Sequence, residues 1–543
     1  MSDLHLESEK ISGPGGLVSS ILGGDRDALA LFPPGVLGRA NTPVGAIPSL
    51  ESNLSPASFH CTEPTARDRL EAALDGRGLV VTTGQQPQLF GGPLYVLYKA
   101  LSAVRAAARI ERELDIPCVA VFWVAADDHD WAEVASVSYL DRDERIRRLK
   151  LTAPPDRAGR PVGPSLLPAE IEELTREFLD SLETRETGDR WQDILQDHYS
   201  AGRPFTEAFV GVASAWMDGI PIAFLDSAHP EVRGAASPFV RRVLEQRDLV
   251  NEALEQGTAG VTDLGYRAQL TQTPGAIPLF REGAGGRYRL RQASGLIQID
   301  RDDNFLHVSD LVAEATADSD RFSPSAALRP VLESWLLPVQ ATVLGPGEIA
   351  YWSQLPPLFR ALDVPMPSII PRGSWRVLEP RTERLLRKTG VSADELRDGG
   401  GAASAGLVER SRPRGVEEAL LRLEDRMDED FGALESTVVS DLPGLRSAVG
   451  KSRSQAFSAL ATLRKTLDSV TRDREESTLG QLRRAAANLF PEGVPQERAF
   501  AVWVYLVRYG DEFIDAARSA ALEPPSEHSA SREDGVAGGA AAE

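Results

Sequence analysis

The sequence predicts an α/β protein: a core with a parallel sheet and helices on its faces, carrying inserted segments, followed by a C-terminal α-helical coiled-coil domain. Three observations lead there. The run Leu79-Val-Val-Thr-Thr-Gly-Gln-Gln-Pro-Gln-Leu-Phe-Gly-Gly-Pro-Leu-Tyr-Val-Leu-Tyr-Lys99 reads as strand, glycine-rich loop and helix, and Cys118-Val-Ala-Val-Phe-Trp-Val-Ala-Ala126 follows as a second buried strand. Strand, loop, helix and strand within about fifty residues make a βαβ unit. A second strand, glycine-rich loop and helix recur at Val339–Trp352. Beyond Glu379 the chain turns charged, with apolar residues three and four apart, the rhythm of helices with a heptad-like seam.

In chain order, the first fifty residues are rich in Gly, Pro and Ser and predict loops and short helices. The βαβ unit occupies about 79–140. A Pro-rich stretch then leads to Pro168-Ala-Glu-Ile-Glu-Glu-Leu-Thr-Arg-Glu-Phe-Leu, whose apolar spacing and acidic first turn predict a helical insertion over about 151–210. Ile220-Pro-Ile-Ala-Phe-Leu-Asp226 returns to a buried strand ending in an acid. Short alternating segments around glycine turns predict a β-rich insertion over about 260–310. Leu420, Leu423, Met427, Phe431, Leu434 and Val438, then Ala456, Leu460, Leu463, Leu467 and Val470, flank a Pro443-Gly444 break. They predict an antiparallel coiled-coil arm, a plain helical bundle being the alternative. The predicted organisation is a core over 1–380, a helical domain over 381–522 and a disordered tail over 523–543.

Composition bounds the function. Of 543 residues, 42% are hydrophobic and 26% charged, as in ordinary soluble proteins. No apolar run reaches the ~18 residues of a membrane span, and the amino terminus lacks a basic-then-apolar signal. A formal charge of −21 opposes nonspecific binding of nucleic acid. Two cysteines, Cys61 and Cys118, provide no disulfide framework, which points to a cytoplasmic protein. Cys118, opening a strand, is expected in the core.

Candidate chemistry clusters at the strand ends, where the ligand crevice of a parallel α/β sheet lies. Thr83, Gly84, Gln85, Gln86, Gly91 and Gly92 form a loop that lets backbone approach a ligand. Its following helix, starting at Pro93, offers N–H groups and a dipole to an anion, with Tyr95 and Lys99 on the first turns. The loop is neither a P-loop nor a GxGxxG fingerprint; a tight turn with packing glycines is the plain alternative. Asp127-Asp128-His129-Asp130 could bind substrate, shuttle protons or hold a metal. The other six histidines show no ligand spacing, and the three acids could instead be solvated or cap the next helix. Gly345-Pro-Gly347-Glu348 forms another possible substrate loop, with Tyr351 and Trp352 as pocket wall or core.

At these residues the chain resembles the BshC family of bacillithiol-biosynthesis cysteine ligases. The resemblance is carried by Thr83-Gly-Gln-Gln-Pro, Leu89-Phe-Gly-Gly-Pro-Leu-Tyr95, Tyr98-Lys99, Val121-Phe-Trp-Val-Ala-Ala-Asp-Asp-His-Asp130, Ser323-Pro, Arg329-Pro-Val-Leu, Leu336-Leu-Pro338, Leu344-Gly-Pro-Gly-Glu-Ile-Ala-Tyr-Trp352, Gln496-Glu-Arg498 and Arg508-Tyr-Gly510. It spans nearly the whole chain. The family usually shows Glu-Asp-His-Asp, and here Asp127 stands at the first position.

The resemblance implies a Rossmann-like core, a coiled-coil domain supporting a homodimer, and a ligase that joins L-cysteine to glucosaminyl-malate through an amide bond. By analogy with class I synthetases it implies ATP or ADP as nucleotide ligand, with Mg alongside, and a cysteinyl-adenylate. The Gly84–Gly92 loop and the Pro93 helix start would cradle phosphates. Asp128, His129 and Asp130 would be catalytic, binding the amine or moving a proton. Thr83, Gly84, Gln85, Gln86, Gly91, Gly92, Tyr95, Lys99, Gly345, Gly347, Glu348, Tyr351 and Trp352 would bind substrate or nucleotide. Two cysteines cannot build a multi-thiolate zinc site. A nucleotidyl transferase, a metal-dependent hydrolase or a non-catalytic nucleotide-binding scaffold are the competing readings.

Overall fold

A computed structural model describes residues 4–9, 16–37, 54–154, 159–271, 273–283, 286–300 and 305–522. The tail expected over 523–543 lies outside the described residues, as does much of the amino-terminal stretch. Two compact units emerge, one built from Leu4–Arg376 and Glu497 onward, the other from Val377–Gln496. The compact helical unit closes at Gln496. Helices Trp503–Tyr509 and Asp511–Leu522 bury Trp503, Tyr505, Leu506 and Phe513 in the first unit, because these apolar side chains match its core and not the charged arm.

The first unit is organised on a six-stranded sheet: β1 (Phe59–Cys61), β2 (Leu79–Gln85), β3 (Cys118–Val124), β4 (Ile222–Asp226), β5 (Val339–Leu344) and β6 (Ser368–Pro371). Their spatial order is β6-β5-β2-β3-β4-β1. All neighbours are parallel except β1, which lies antiparallel on the edge beside β4. The first parallel strand, β2, thus sits in the middle, with β3 and β4 on one side and β5 and β6 on the other. This is the Rossmann-like order, and its connections reverse direction between β2 and β5. Such a switch point opens a crevice beyond the carboxyl ends of the two strands.

The strands read as continuous apolar runs because both faces are covered. Val80, Val81, Val119, Val121 and Trp123 are almost wholly buried. Cys118 lies in this core as expected. The helix after β2 is α1 (Leu94–Leu114), with Leu97, Tyr98 and Leu101 buried. It ends at Asp115, whose positive φ of 55° supplies a left-handed cap.

The helical insertion contains Glu170–Ser181, Asp189–His198 and Phe205–Trp216. The β-rich insertion is a five-stranded antiparallel sheet completed by Phe322–Pro324, after the expected boundary. Two short helices carry site residues, α2 (Arg329–Leu336) and α3 (Pro346–Trp352).

In the second unit α4 (Arg414–Asp441) and α5 (Arg446–Leu489) are joined through a turn at Pro443–Leu445. Ion pairs Glu435–Arg446, Asp428–Arg453 and Glu417–Arg464 run in opposite directions along the two helices, so they form an antiparallel pair as the sequence predicts. The expected seam is only partly covered. Leu420, Val438 and Leu460 are buried, whereas Leu423, Leu434, Leu463 and Val470 are exposed. At the base of α5, Leu479, Leu482 and Leu489 pack with Leu396 and Leu407 into a separate core.

Candidate active site

The chain beyond β2, β3, β5 and β6 delivers residues to the crevice. Beyond β2, the Gly84–Gln86 turn is held against β3: a Cβ at Gly84 would lie 2.9 Å from the Trp123 carbonyl oxygen. Lys99, on the buried side of α1, reaches back so that its Nζ donates to the Gly84 carbonyl at 2.7 Å and to Gln85 Oε1 at 3.1 Å. The same ammonium pairs with Glu348 of α3 at 2.6 Å. Glu348 also accepts from the Gly345 N–H at 2.8 Å, fastening the loop beyond β5. Burial pushes the Lys99 ammonium down, against the upward pull of Glu348.

Beyond β3 the acidic segment divides its labour. Asp127 is buried and accepts from Ser227 Oγ at 2.7 Å, Ser227 lying just beyond β4. Ser227 in turn accepts from the N–H groups of Ala126 and Asp127 at 3.0 and 3.3 Å. Asp127 thus joins the ends of β3 and β4.

Asp128 faces the crevice. Its carboxylate accepts from Gln86 Nε2 at 2.6 Å and the His129 N–H at 2.6 Å, with His129 Nδ1 at 3.3 Å. Arg287, from the β-rich insertion, lies 3.8 Å from both Asp127 and Asp128. Burial alone would raise the Asp128 pKa; His129, Arg287 and Gln86 together hold it well below the usual carboxylate range. Asp130 turns elsewhere: it is exposed and caps the Trp131–Val134 helix by accepting from the Glu133 N–H at 3.1 Å.

Two cavities flank Asp128. One, of about 380 Å³, is lined by Asp127, Asp128, His129, Phe280, Arg287 and Arg289 among others. The other, of about 310 Å³, sits at the switch point against Gly84, Gln85, Gln86, Tyr95, Lys99, Gly345, Gly347, Glu348 and Tyr351. Asp128, Ala326 and Arg329 line both. Arg329 is held by Tyr351, whose hydroxyl accepts from Nη2 at 2.9 Å, and by Glu333 at 3.5 Å. Burial pushes Glu333 up to about 7 although Arg329 pulls it back. Tyr351 and Tyr95 are likewise pushed up to about 12 by burial, so both phenols stay protonated at neutral pH.

The structure gathers most of the expected residues and sends five elsewhere. Thr83 is buried and donates to the Val343 carbonyl at 2.9 Å, tying β2 to β5. Trp352 packs into the hydrophobic core. Asp130 is a helix cap. Gly91 and Gly92 line neither cavity; their positive φ values of 78° and 81° turn the chain into α1.

Three donors of the expected phosphate cradle at the start of α1 are taken by protein groups. The Gly91 N–H is taken by Tyr199 Oη at 2.9 Å, Gly92 N–H by the Leu89 carbonyl, and Leu94 N–H by the Phe500 carbonyl at 2.9 Å. These three donors are satisfied by protein and are not available to an anion.

Arg287, Arg329, Arg372 and Arg498 were not singled out for chemistry in the sequence. Arg329 and Arg498 lie inside motifs that carry the family resemblance, which was their one available signal. Arg287 and Arg372 sit where only the folded insertion and sheet bring them to the crevice. Among the described residues no three His, Cys, Asp or Glu side chains converge as a metal-ligand set.

A Rossmann-like sheet with two cavities that share Asp128, Ala326 and Arg329 beyond its strand ends defines the class: an α/β protein with its crevice at the switch point. Comparison with known proteins narrows this. Residues 51–373 match the model for the bacillithiol biosynthesis BshC N-terminal Rossmann-like domain, and residues 376–530 match the BshC C-terminal coiled-coil domain. The chain belongs to the BshC family. A relative from Symbiobacterium thermophilum named "Putative cysteine ligase BshC" is 32% identical over 449 residues, covering 80% of each chain. Proteins of the same name from Chlorobium phaeobacteroides and Bacillus cytotoxicus are 29% and 27% identical, over 83% and 82% of this chain and 82% and 83% of theirs.

Proposed function

We propose that this protein is a cytosolic ligase that joins L-cysteine to glucosaminyl-malate through an amide bond to form bacillithiol. The observation that supports it most is the pair of cavities sharing Asp128 and Arg329, an arrangement suited to an acyl donor on one side and an amine on the other. Family membership and the names of its relatives point the same way.

Amide formation from a free carboxylate is uphill in water, so the carboxyl must be activated. With ATP, a cysteine carboxylate oxygen attacks the α-phosphorus and pyrophosphate leaves. The glucosamine nitrogen then attacks the acyl carbon, AMP leaves with the bonding electrons, and the nitrogen gives up a proton. In this reading the switch-point cavity, with Lys99, Arg329 and Arg372, takes the activated cysteine, and the cavity containing His129 takes the amine. Asp128 orients His129 through Nδ1, which makes Nε2 the basic nitrogen. A two-carboxylate substrate also suits Arg287 and Arg289 there. Mg would neutralise ATP phosphate charge, supplied with the nucleotide.

The test is incubation of the purified protein with ATP, Mg, L-cysteine and glucosaminyl-malate, followed by mass spectrometry. The expected product is the cysteinyl adduct together with AMP and pyrophosphate; its absence from folded protein would sink the assignment. His129→Ala should lower turnover by about 10²–10⁴-fold, the range for loss of a general base.

We also propose that the protein works as a homodimer through its arm. Leu423, Leu434, Leu463 and Val470 are apolar and exposed on α4 and α5, and a second copy would cover them.

A further inference from the structure

We infer that Arg498 is the ligand-facing cation of the switch-point cavity, and that it takes an oxyanion, of which a nucleotide phosphate is the source most in keeping with the ligase reading. The inference rests on that reading for the identity of the ligand, but its argument comes from how the charges in the cavity are partnered. The lining side chains include four cations, Lys99, Arg329, Arg372 and Arg498, and three acids, Asp128, Glu133 and Glu348. Lys99 is committed to Glu348 at 2.6 Å. Arg372 is buried in a two-pronged pair with Glu497 at 2.6 and 2.8 Å. Arg329 is held by Tyr351 and Glu333. Asp128 is engaged by Gln86, His129 and Arg287.

Arg498 differs from its neighbours. It is exposed, it lines the cavity, and it makes no hydrogen bond or ion pair with another described residue. It is nevertheless placed firmly, because the adjacent Glu497 is the buried partner of Arg372. The same ion pair therefore anchors the backbone that carries Arg498 and holds Arg372 at the cavity wall, where its guanidinium lies 5.7 Å from the Tyr95 ring centre. A fixed backbone carrying an unpaired guanidinium beside partly neutralised cations favours an oxyanion, which a guanidinium can bind with two parallel hydrogen bonds. With the Gly91 and Leu94 donors at the start of α1 taken by Tyr199 and Phe500, the Arg498 guanidinium supplies donors for an anion that those backbone groups do not.

The test is titration calorimetry of the full chain with ATP, inorganic pyrophosphate and malate, on the native protein and on Arg498→Ala and Arg498→Lys. Because Arg498 is exposed, both variants should melt with the native protein. If Arg498 faces phosphate, Arg498→Ala binds ATP and pyrophosphate about tenfold to a hundredfold more weakly, and Arg498→Lys recovers part of the loss. Malate binding weakened alone would assign the residue to substrate carboxylate, leaving the oxyanion inference standing and the nucleotide part of the ligase reading unsupported. Native protein that binds ATP and an Arg498→Ala variant that binds it equally well would overturn the inference and leave the ligase reading intact. No binding of any of the three anions by native protein would overturn both.

Discussion

Asp128 and His129 sit side by side in the sequence, but one of the groups that hold Asp128 ionised is Arg287, about 160 residues away in the chain. Arg287 stacks over Phe280 with its guanidinium 4.1 Å from the ring centre and donates to Ser323 Oγ and the Pro324 carbonyl at 2.8 Å each. On the ligase reading, replacing it by Met removes a cation that holds Asp128 ionised. The acid limb of the pH–rate profile should then move to higher pH, while Arg287→Lys should move it less. An unchanged limb in both variants would show that Arg287 acts through packing alone.

Asp226, at the end of β4, titrates in the opposite sense. Burial and the neighbouring Asp127 push its carboxyl up to about 6, against a hydrogen bond from the Ala228 N–H. The folded state therefore binds this proton more tightly than the unfolded chain. Its contribution to stability is present below the unfolded pKa, near 4, and is lost as pH rises through about 6. Asp226→Asn mimics the protonated form and should stabilise the protein at pH 7 by on the order of 2 kcal/mol, with the gain shrinking at pH 4. Denaturant melts at the two pH values check this.

At the scale of elements, the Leu79–Lys99 segment was legible as strand, loop and helix, because apolar runs and glycines punctuate it clearly. The direction in which the loop's glycines face was not. A Cβ at Gly91 would lie 2.2 Å from the Trp216 ring and require a strained backbone at φ 78°. Gly91→Ala should cost at least about 3 kcal/mol through packing, with loss of soluble protein as the readout. Trp216 belongs to the helical insertion, so no pattern local to the loop could have revealed it. Asp130 teaches the same lesson in reverse. It was expected to be catalytic, yet it serves as a helix cap, and Asp130→Ala should cost about 1 kcal/mol while retaining turnover.

The arm is the element whose helices were most legible and whose seam was least complete. Heptad spacing marks both the residues that face the partner helix within one chain and those that a second chain would cover, since the two periodicities are alike. Leu423→Glu together with Leu463→Glu should convert the proposed dimer to monomer in sedimentation, with little loss of helix content. An unchanged oligomer would remove the arm from dimerisation.

For the whole molecule, the sheet order decides where chemistry can happen. The order β6-β5-β2-β3-β4 puts the two glycine loops, at Gly84 and Gly345, beyond adjacent strands although about 260 residues separate them in the chain. Local patterning already carried the parallel α/β class, the helical coiled-coil domain and, through the long motifs, the family. Apolar periodicity, turn residues and joined motifs are local, so one chain displays them. The tertiary structure alone decided which strand-end residues share a cavity, which glycines line it and which only turn the chain, and where Glu497 and Arg498 belong. Those outcomes depend on side chains hundreds of residues apart competing for the same space and the same hydrogen-bond donors, and that competition is settled only when the chain folds.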